Sequence, residues 1–496
     1  MPILVLLLLG ALHLAYLLSL PDDVIFYSGD GGMKYLMSKQ FLKGNVSPAL
    51  VLPATPEVSG LWRNGLYPFG VPFVYEIGNR RLVSFPLYLS LASAPFLGLM
   101  GWRGLYVLPA ASVLFIWMWV FLRSRAAQFS TTVICIVLVS MIFASPLTLY
   151  GGMYWEHSLA TFLGCIPLML VFRPRVSTLT AVKTIALGVL SGAGVFFRPE
   201  VLVCVSSAIG ACLLCFGRQR MRRIFFFSVG FLISTSAFLV ANRLIYGPML
   251  GLHSLQILDG EILSFSYIQA GLYRSLQLLF LLCQYWPPFV FAIVVLPLAL
   301  RGSPPHQRER LVCFLVLTMS VPLIALIVPN VGGKQWGPRY LLVLIPWGAM
   351  TVGLILEAIL QDRAPRVKVP ALLLLALCLI LGSNANIWHG TRHLAEDYRL
   401  RVLPALRLIE AQPQQFVIIS HQSIAQELAA LIGQKTFLRV RNKKDIRRIK
   451  TDPLLQGVKS VLFVTYKGAR VPEEFRPFTE LGKSQSYIIR SVKTGE

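Results

Sequence analysis

The chain has 496 residues, is 55% hydrophobic and carries only 14% charged residues. That content excludes an ordinary soluble globule. Apolar runs long enough to cross about 30 Å of hydrocarbon recur without period-two alternation, so a polytopic helical membrane protein is expected rather than a β-barrel. The net charge of +24 is spread as short basic clusters between apolar runs and in the C-terminal region, which fits the positive-inside pattern and not a nucleic-acid-binding surface.

Taken in chain order, residues 1–20 lack a positive n-region and are expected to be a retained first span, not a signal peptide. The apolar runs are 3–20, 83–100, 104–122, 131–150, 157–172, 179–197, 199–217, 224–246, 276–300, 311–329, 340–360 and 369–383. Basic clusters at Arg123/Arg125, Arg173/Arg175/Lys183, Arg218/Arg220/Arg222/Arg223, Arg301/Arg308/Arg310 and Arg363/Arg366/Lys368 alternate with sparsely basic loops and are expected in the cytoplasm. If every run crossed, the acidic first loop would join Arg123/Arg125 on that side. The conflict disappears if 83–100, which contains Pro86, Pro95 and three serines, is an interfacial or re-entrant helix. The expected fold is therefore all-α, with about 11 transmembrane helices, one interfacial helix, an N-terminus inside and the 21–103 loop outside. The eight cysteines lie in or at the ends of apolar runs, which argues against a disulfide framework and a structural zinc site.

A transmembrane domain is expected over 1–383 and a small extracytoplasmic α/β domain over 384–496. In the latter, strands at 415–420, 436–440, 460–466 and 486–492 alternate with helices at 423–432 and 443–457, which predicts a mostly parallel sheet. A helix from about 388 to 411 joins it to the membrane part. The basic stretch Arg441 to Lys450 is either a solvated face or a contact for anionic head groups.

The candidates for chemistry gather in the segments expected outside. Asp30 stands in Ser28-Gly-Asp-Gly-Gly32 and is either a helix N-cap or a reactive carboxylate; the glycines permit a sharp turn and close approach to a ligand. Lys34 follows, and Tyr35 is expected one turn beyond Asp30 on the same side. Glu76, in Tyr75-Glu-Ile-Gly-Asn-Arg-Arg81, either faces Asp30 as a second carboxylate or pairs with Arg80. Glu156 and His157, in Tyr154-Trp-Glu-His157, form a costly pair at a membrane edge, functional or shielded by Trp155. Arg198 either binds phosphate or pairs with Glu200. Arg243, His253, Lys334 and Arg339 complete the set, with arginine suited to bidentate phosphate contacts and lysine to point-charge contacts. No metal-ligand spacing, Ser-His-Asp signature or dinucleotide fingerprint appears; paired carboxylates are the only candidates for a divalent cation, and no cofactor is otherwise expected.

An acidic residue in the loop after span one, an aromatic nearby, the Pro-containing helix Phe85 to Gly101 and a following span opened by an Arg-bearing turn together resemble the GT-C superfamily of integral-membrane glycosyltransferases, such as protein mannosyltransferases and aminoarabinose transferases. The resemblance covers the first 125 residues best and the general layout to about 383. It implies transfer of a sugar from a polyprenyl-phosphate donor to a lipid, glycan or protein acceptor at the outer face of a bacterial-type inner or plasma membrane. It makes Asp30 the catalytic carboxylate, Glu76 a second acid and Arg339 a donor-phosphate ligand. The alternative is a transporter or lipid flippase, whose expected internal repeats and charged mid-spans are not seen.

Overall fold

The computed structural model describes residues 1–171, 179–215, 218–252, 255, 265–300, 307–328, 331–362 and 365–493. α1 (Pro2–Ser19) is followed by α2 (Gly29–Leu42), a hairpin of β1 (Val74–Ile77) and β2 (Arg80–Val83), and α3 (Leu87–Met100). Then come α4 (Val107–Ala126), α5 (Thr131–Ile142), α6 (His157–Val171), α7 (Ala181–Phe197), α8 (Glu200–Cys215) and α9 (Arg218–Tyr246). α10 (Phe265–Tyr285), α11 (Pro288–Leu300), α12 (Gln307–Ile327), α13 (Ile345–Asp362) and α14 (Pro365–Ser383) follow. The C-terminal region holds α15 (Leu403–Glu410), β3 (Phe416–Ile419), α16 (Gln422–Glu427), β4 (Thr436–Arg439), α17 (Lys443–Thr451), β5 (Ser460–Tyr466), β6 (Phe478–Lys483) and β7 (Tyr487–Lys493).

The chain divides into two compact units. One comprises Met1–Leu18 and Tyr106–Arg392; the other comprises Ser19–Leu105 and the residues from His393 onward. The expected boundary at 383 grouped the first loop with the apolar helices, whereas by contacts that loop clusters with the C-terminal region.

The first unit is an apolar helical bundle, and the chain is an integral membrane protein. Among the described residues six helical stretches are long and apolar enough to cross a membrane, or seven if the bent pair α10–α11 counts as one. The run expected as a single span at 276–300 is therefore corrected: its two helices meet at 106°. Trp286-Pro287-Pro288 explains the break, because proline lacks the N–H that would continue the helix and disfavours helical geometry before it. The Trp286 indole anchors the corner by donating to Ser140 O at 3.0 Å. α13 is the centre of the unit: 94% of the apolar window at 339–361 is buried, against 17% in α1. α7 and α9 cross closely, since a Cβ at Gly188 would strike Phe227 O and one at Gly230 would strike Ile185 O. Small residues at such a crossing allow backbone-to-backbone packing where no hydrophobic driving force exists between helices. Helical conformation also runs unbroken from Pro365 to Glu410, through π-helical turns, where a span and a separate linking helix were expected.

The second unit is built on a five-stranded sheet in the order β4-β3-β5-β7-β6. β4, β3 and β5 are parallel, but β7 is antiparallel to both β5 and β6. The expectation of a mostly parallel sheet is thus corrected to a mixed one, and β6 was not anticipated. Its polar, half-exposed sequence Phe-Thr-Glu-Leu-Gly-Lys has no apolar run to mark it, and pairing with β7 supplies the order. The clamp at the heart of this unit is Arg401. Its Nε lies 2.6 Å from Asp397 Oδ1, its Nη2 3.1 Å from Asp397 Oδ2, and its Nη1 reaches Glu427 of α16 and the Tyr487 hydroxyl.

Two segments far apart in sequence are knitted together by side chains that donate to backbone. Trp62 Nε1 donates to Phe437 O at 3.0 Å, Arg441 Nη2 to Gly65 O at 2.6 Å and Arg448 Nη1 to Asn64 O at 2.6 Å. The Gln422 amide accepts from Gly70 N at 2.8 Å and donates to Val71 O at 3.1 Å. Arg441 and Arg448 of the basic stretch are therefore neither wholly solvated nor simply presented to head groups: they hold the 64–65 turn. α2 lies against α16, where a Cβ at Gly32 would strike the Gln426 carbonyl oxygen, and against α3, where the Ser38 hydroxyl is 3.0 Å from Ser90 O. Gly32→Val should therefore lower the stability of the purified protein by about 1–3 kcal/mol, the usual cost of overpacking, read as a drop in Tm; an unchanged Tm would refute the close approach.

Candidate functional site

The expected site residues are distributed over both units. Asp30, Lys34, Tyr35 and Glu76 belong to the second, whereas Glu156, His157, Arg198, Arg243, Lys334 and Arg339 belong to the first. His253 lies outside the described residues.

In the second unit α2 begins at Gly29, with Ser28 as its N-cap, so Asp30 is not the cap but the acidic residue of the first turn. There a carboxylate is favoured by the helix dipole and the unsatisfied N–H groups. Asp30 is half-buried. The neighbouring glycines serve packing: Gly29 and Gly32 face Gln426, and Gly31 faces Phe26. Five helical positions turn a side chain by roughly 140° net, so Tyr35 does not share the face of Asp30; Lys34, four positions on, does. This corrects the expected pairing with Tyr35. Tyr35 is buried against Phe26, with ring centroids 5.6 Å apart, and burial together with the charge of Asp23 pushes its hydroxyl pKa up. Lys34 is almost wholly buried and its Nζ lies 5.1 Å from the centre of the Phe85 ring. Glu76 is exposed on β1, where its register partner on β2 is Arg81, not the expected Arg80. Arg81 in turn stacks 3.9 Å from the centre of the Tyr67 ring, and burial pushes the Tyr67 hydroxyl pKa well above its ordinary value.

In the first unit four of the expected residues converge where α6 and α8 begin, α7 ends and the chain enters α13. Arg198 is buried between two carboxylates: its Nε and Nη2 lie 3.0 and 2.5 Å from the two oxygens of Glu200, and its Nη1 lies 3.2 Å from Glu156. The open choice at Arg198 is thus resolved as pairing, with two acids rather than one. With its Nε, Nη1 and Nη2 each turned to a carboxylate, Arg198 acts as an organiser of its neighbours. Beside it the Tyr340 ring is shared: Arg198 lies 5.3 Å and Arg339 4.9 Å from its centre. Arg339 also lies 5.5 Å from the Trp155 ring and donates from Nη2 to the Tyr340 hydroxyl at 3.0 Å. Rings packed against a guanidinium orient the N–H donors around its edge. His157 is buried, with Trp155 at 5.3 Å and Tyr150 at 5.6 Å between ring centroids.

Lys334 is half-buried in the segment that leads to Arg339. Arg243 is not brought to this cluster; it is exposed and donates from Nη1 to Gly247 O at 2.7 Å, closing the end of its own helix. Sequence reasoning missed the support behind Arg339. The Trp336 indole donates to Asn386 Oδ1 at 3.2 Å, the Asn386 amide donates to Tyr285 O and Gly382 O at 2.8 Å each, and the Tyr150 hydroxyl donates to Trp336 O at 2.9 Å. The polar Asn386 just past an apolar run was the available signal. Among the described residues no group of three or more His, Cys, Asp or Glu gathers as a metal site.

No family model matches this chain, and no curated protein matches it. Its fold is nevertheless similar to solved structures along almost its whole length. ArnT from Cupriavidus metallidurans in the apo state aligns with a TM-score of 0.59 at 10% identity, over 99% of this chain and 98% of that one. ArnT from the same organism bound to undecaprenyl phosphate aligns with a TM-score of 0.57 at 11% identity, over 98% and 97% of the two chains. The Archaeoglobus fulgidus oligosaccharyltransferase, in complex with zinc and sulfate, aligns with a TM-score of 0.53 at 12% identity, over 93% of this chain and 68% of that one. The architecture expected from the sequence, an apolar helical part followed by a small α/β part, is the one observed and is shared with these structures.

Removing the guanidinium from the buried triad leaves two carboxylates facing each other. Arg198→Met should cost about 3–5 kcal/mol of stability and lower Tm steeply, whereas Arg243→Met should leave Tm nearly unchanged; equal effects would refute the distinction drawn here.

Proposed function

We propose that this protein is a membrane glycosyltransferase that moves a sugar from a polyprenyl-phosphate-linked donor to an acceptor hydroxyl of a lipid, glycan or protein. We place the reaction at the extracytoplasmic face of a bacterial-type inner or plasma membrane, the side that the basic clusters assign to the first loop. The observation that carries this reading is the near full-length likeness of fold to ArnT, which has been captured bound to undecaprenyl phosphate.

In the proposed reaction the acceptor oxygen attacks the anomeric carbon, the carbon–oxygen bond to the donor phosphate breaks, and polyprenyl phosphate leaves with the negative charge. Asp30 is assigned as the base that takes the acceptor proton. Its place in the first turn of a helix held between α16 and α3 supports that role, because a general base works through fixed geometry. Lys34, on the same helical face, supplies a cation near that carboxylate. Glu76 is the second candidate acid, and Tyr35 supports the helix from its buried side. Arg339 is assigned to the donor phosphate, with Lys334 as a second cation; its stacking on Trp155 and Tyr340 supports the assignment by restricting the side chain. Glu156, Arg198 and His157 act as positioning residues for that stack. Arg243 has no part in it, and a divalent cation has no assigned role.

Steady-state transfer from a polyprenyl-phosphate sugar tests both assignments. Asp30→Asn should lower kcat by about 10²–10⁴-fold, the usual contribution of a positioned acid or base, with insertion and donor binding preserved. Arg339→Ala should raise the donor KM by about 10- to 100-fold, as expected for a lost charge-assisted contact. A fully active Asp30 variant sinks the catalytic assignment, and unchanged donor kinetics sink the phosphate assignment.

A further inference from the structure

A second feature of the loop-and-sheet unit lies outside this chemistry. The C-terminal half of α2, the 45–53 segment and the 432–434 turn border an open cleft of about 500 Å³. This is within the usual range for a small-molecule site. Its wall begins six residues along α2 from Asp30, at Leu36, and its two lysines stand nine and thirteen residues on, roughly 14–20 Å at the rise of a helix; Asp30 does not line it, so it is not the same site.

The cleft combines two chemistries. Lys39 and Lys43 line it, and among the described residues no Asp or Glu does. Lys39 is half-buried, and burial followed by the nearby charge of Lys43 lowers its pKa. Two cations thus stand on one wall with no carboxylate among its described residues to balance them. Lysines in a last helical turn do complement the helix dipole, but that role needs no cleft beside them. The rest of the wall includes Leu36, Leu52 and Ile432. Apolar side chains stand exposed on the surrounding loop, with Val51 58% and Val46 73% accessible. Leu42, itself 47% exposed, meets α3 at Gly98, next to Leu99 at 83% exposure.

The wall is also pre-set. Gln40 spends its whole amide on the loop, donating to Ser47 O and Ala49 O at 2.9 Å each and accepting from Val51 N at 2.9 Å. A wall ordered before binding reduces the entropy cost of binding.

We propose that this cleft is a binding site for a phosphate-bearing amphiphile, with the phosphate between Lys39 and Lys43 and the apolar part against Leu52 and Ile432. The phosphate could belong to a membrane lipid head group or to a soluble phosphorylated compound, and the geometry favours the lipid because apolar side chains crowd the approach.

Equilibrium titration of the purified full-length protein with dihexanoyl phosphatidic acid and with inorganic phosphate separates the sources. The wild type should bind the short-chain lipid about tenfold or more tighter than phosphate, since burial of even a few methylenes supplies that factor. Lys39→Gln/Lys43→Gln should weaken lipid binding by about tenfold or more at unchanged Tm, and Lys39→Arg/Lys43→Arg should retain it. Leu52→Ser should weaken the lipid arm and spare the phosphate arm. No binding by the wild type, or wild-type binding by the glutamine variant, overturns the site; equal affinity for the two probes overturns the lipid source.

Discussion

The contact between Gly32 and the backbone of Gln426 is the constraint on which the second unit depends. A helix bearing a half-buried carboxylate cannot be held rigidly by a flexible loop. Here α2 lies directly against α16, and α16 is tied through Glu427 to Arg401, which also holds Asp397 and the Tyr487 hydroxyl. The placement of Asp30 is thereby determined by residues almost four hundred positions away in sequence. Glycine is needed because any Cβ at position 32 would meet a carbonyl oxygen, not a yielding side chain.

The two units use one electrostatic device. Arg198 sits between Glu156 and Glu200, and Arg401 sits between Asp397 and Glu427. In each case one guanidinium offers several donors in a plane, which two carboxylates can share. Such buried groupings contribute little net stability, because desolvation offsets the Coulomb attraction, but breaking one leaves an uncompensated charge. They therefore specify geometry more than they add energy. In the first unit that geometry sets Tyr340, and through it Arg339; in the second it sets α16, and through it α2.

Stacking completes what the charges begin. Arg339 is confined by Trp155 and Tyr340, and the 336–340 segment is held by Tyr150, Asn386 and Tyr285. In an apolar bundle a cation kept this way loses little side-chain entropy on meeting an anion. That separates it from Arg243, whose hydrogen bond goes to the end of its own helix.

The sequence by itself determined the membrane class, the positions of most apolar helices and the alternation of strands and helices after 415, because hydrophobic length and period are local properties of the chain. It also picked out Asp30, Glu156, Arg198 and Arg339, since charges beside apolar runs are costly enough to stand out. Only the tertiary structure decided their partners. Arg198 could be seen to have Glu200 two residues away, but not Glu156 across the bundle. The glycines around Asp30 pointed to close approach, but not that the approaching group was a neighbouring helix. The antiparallel β6–β7 pair was likewise settled by pairing, which arises between segments and leaves no periodic trace within either one; the α10–α11 corner, by contrast, is written in Pro287-Pro288, and only its 106° angle needed the structure.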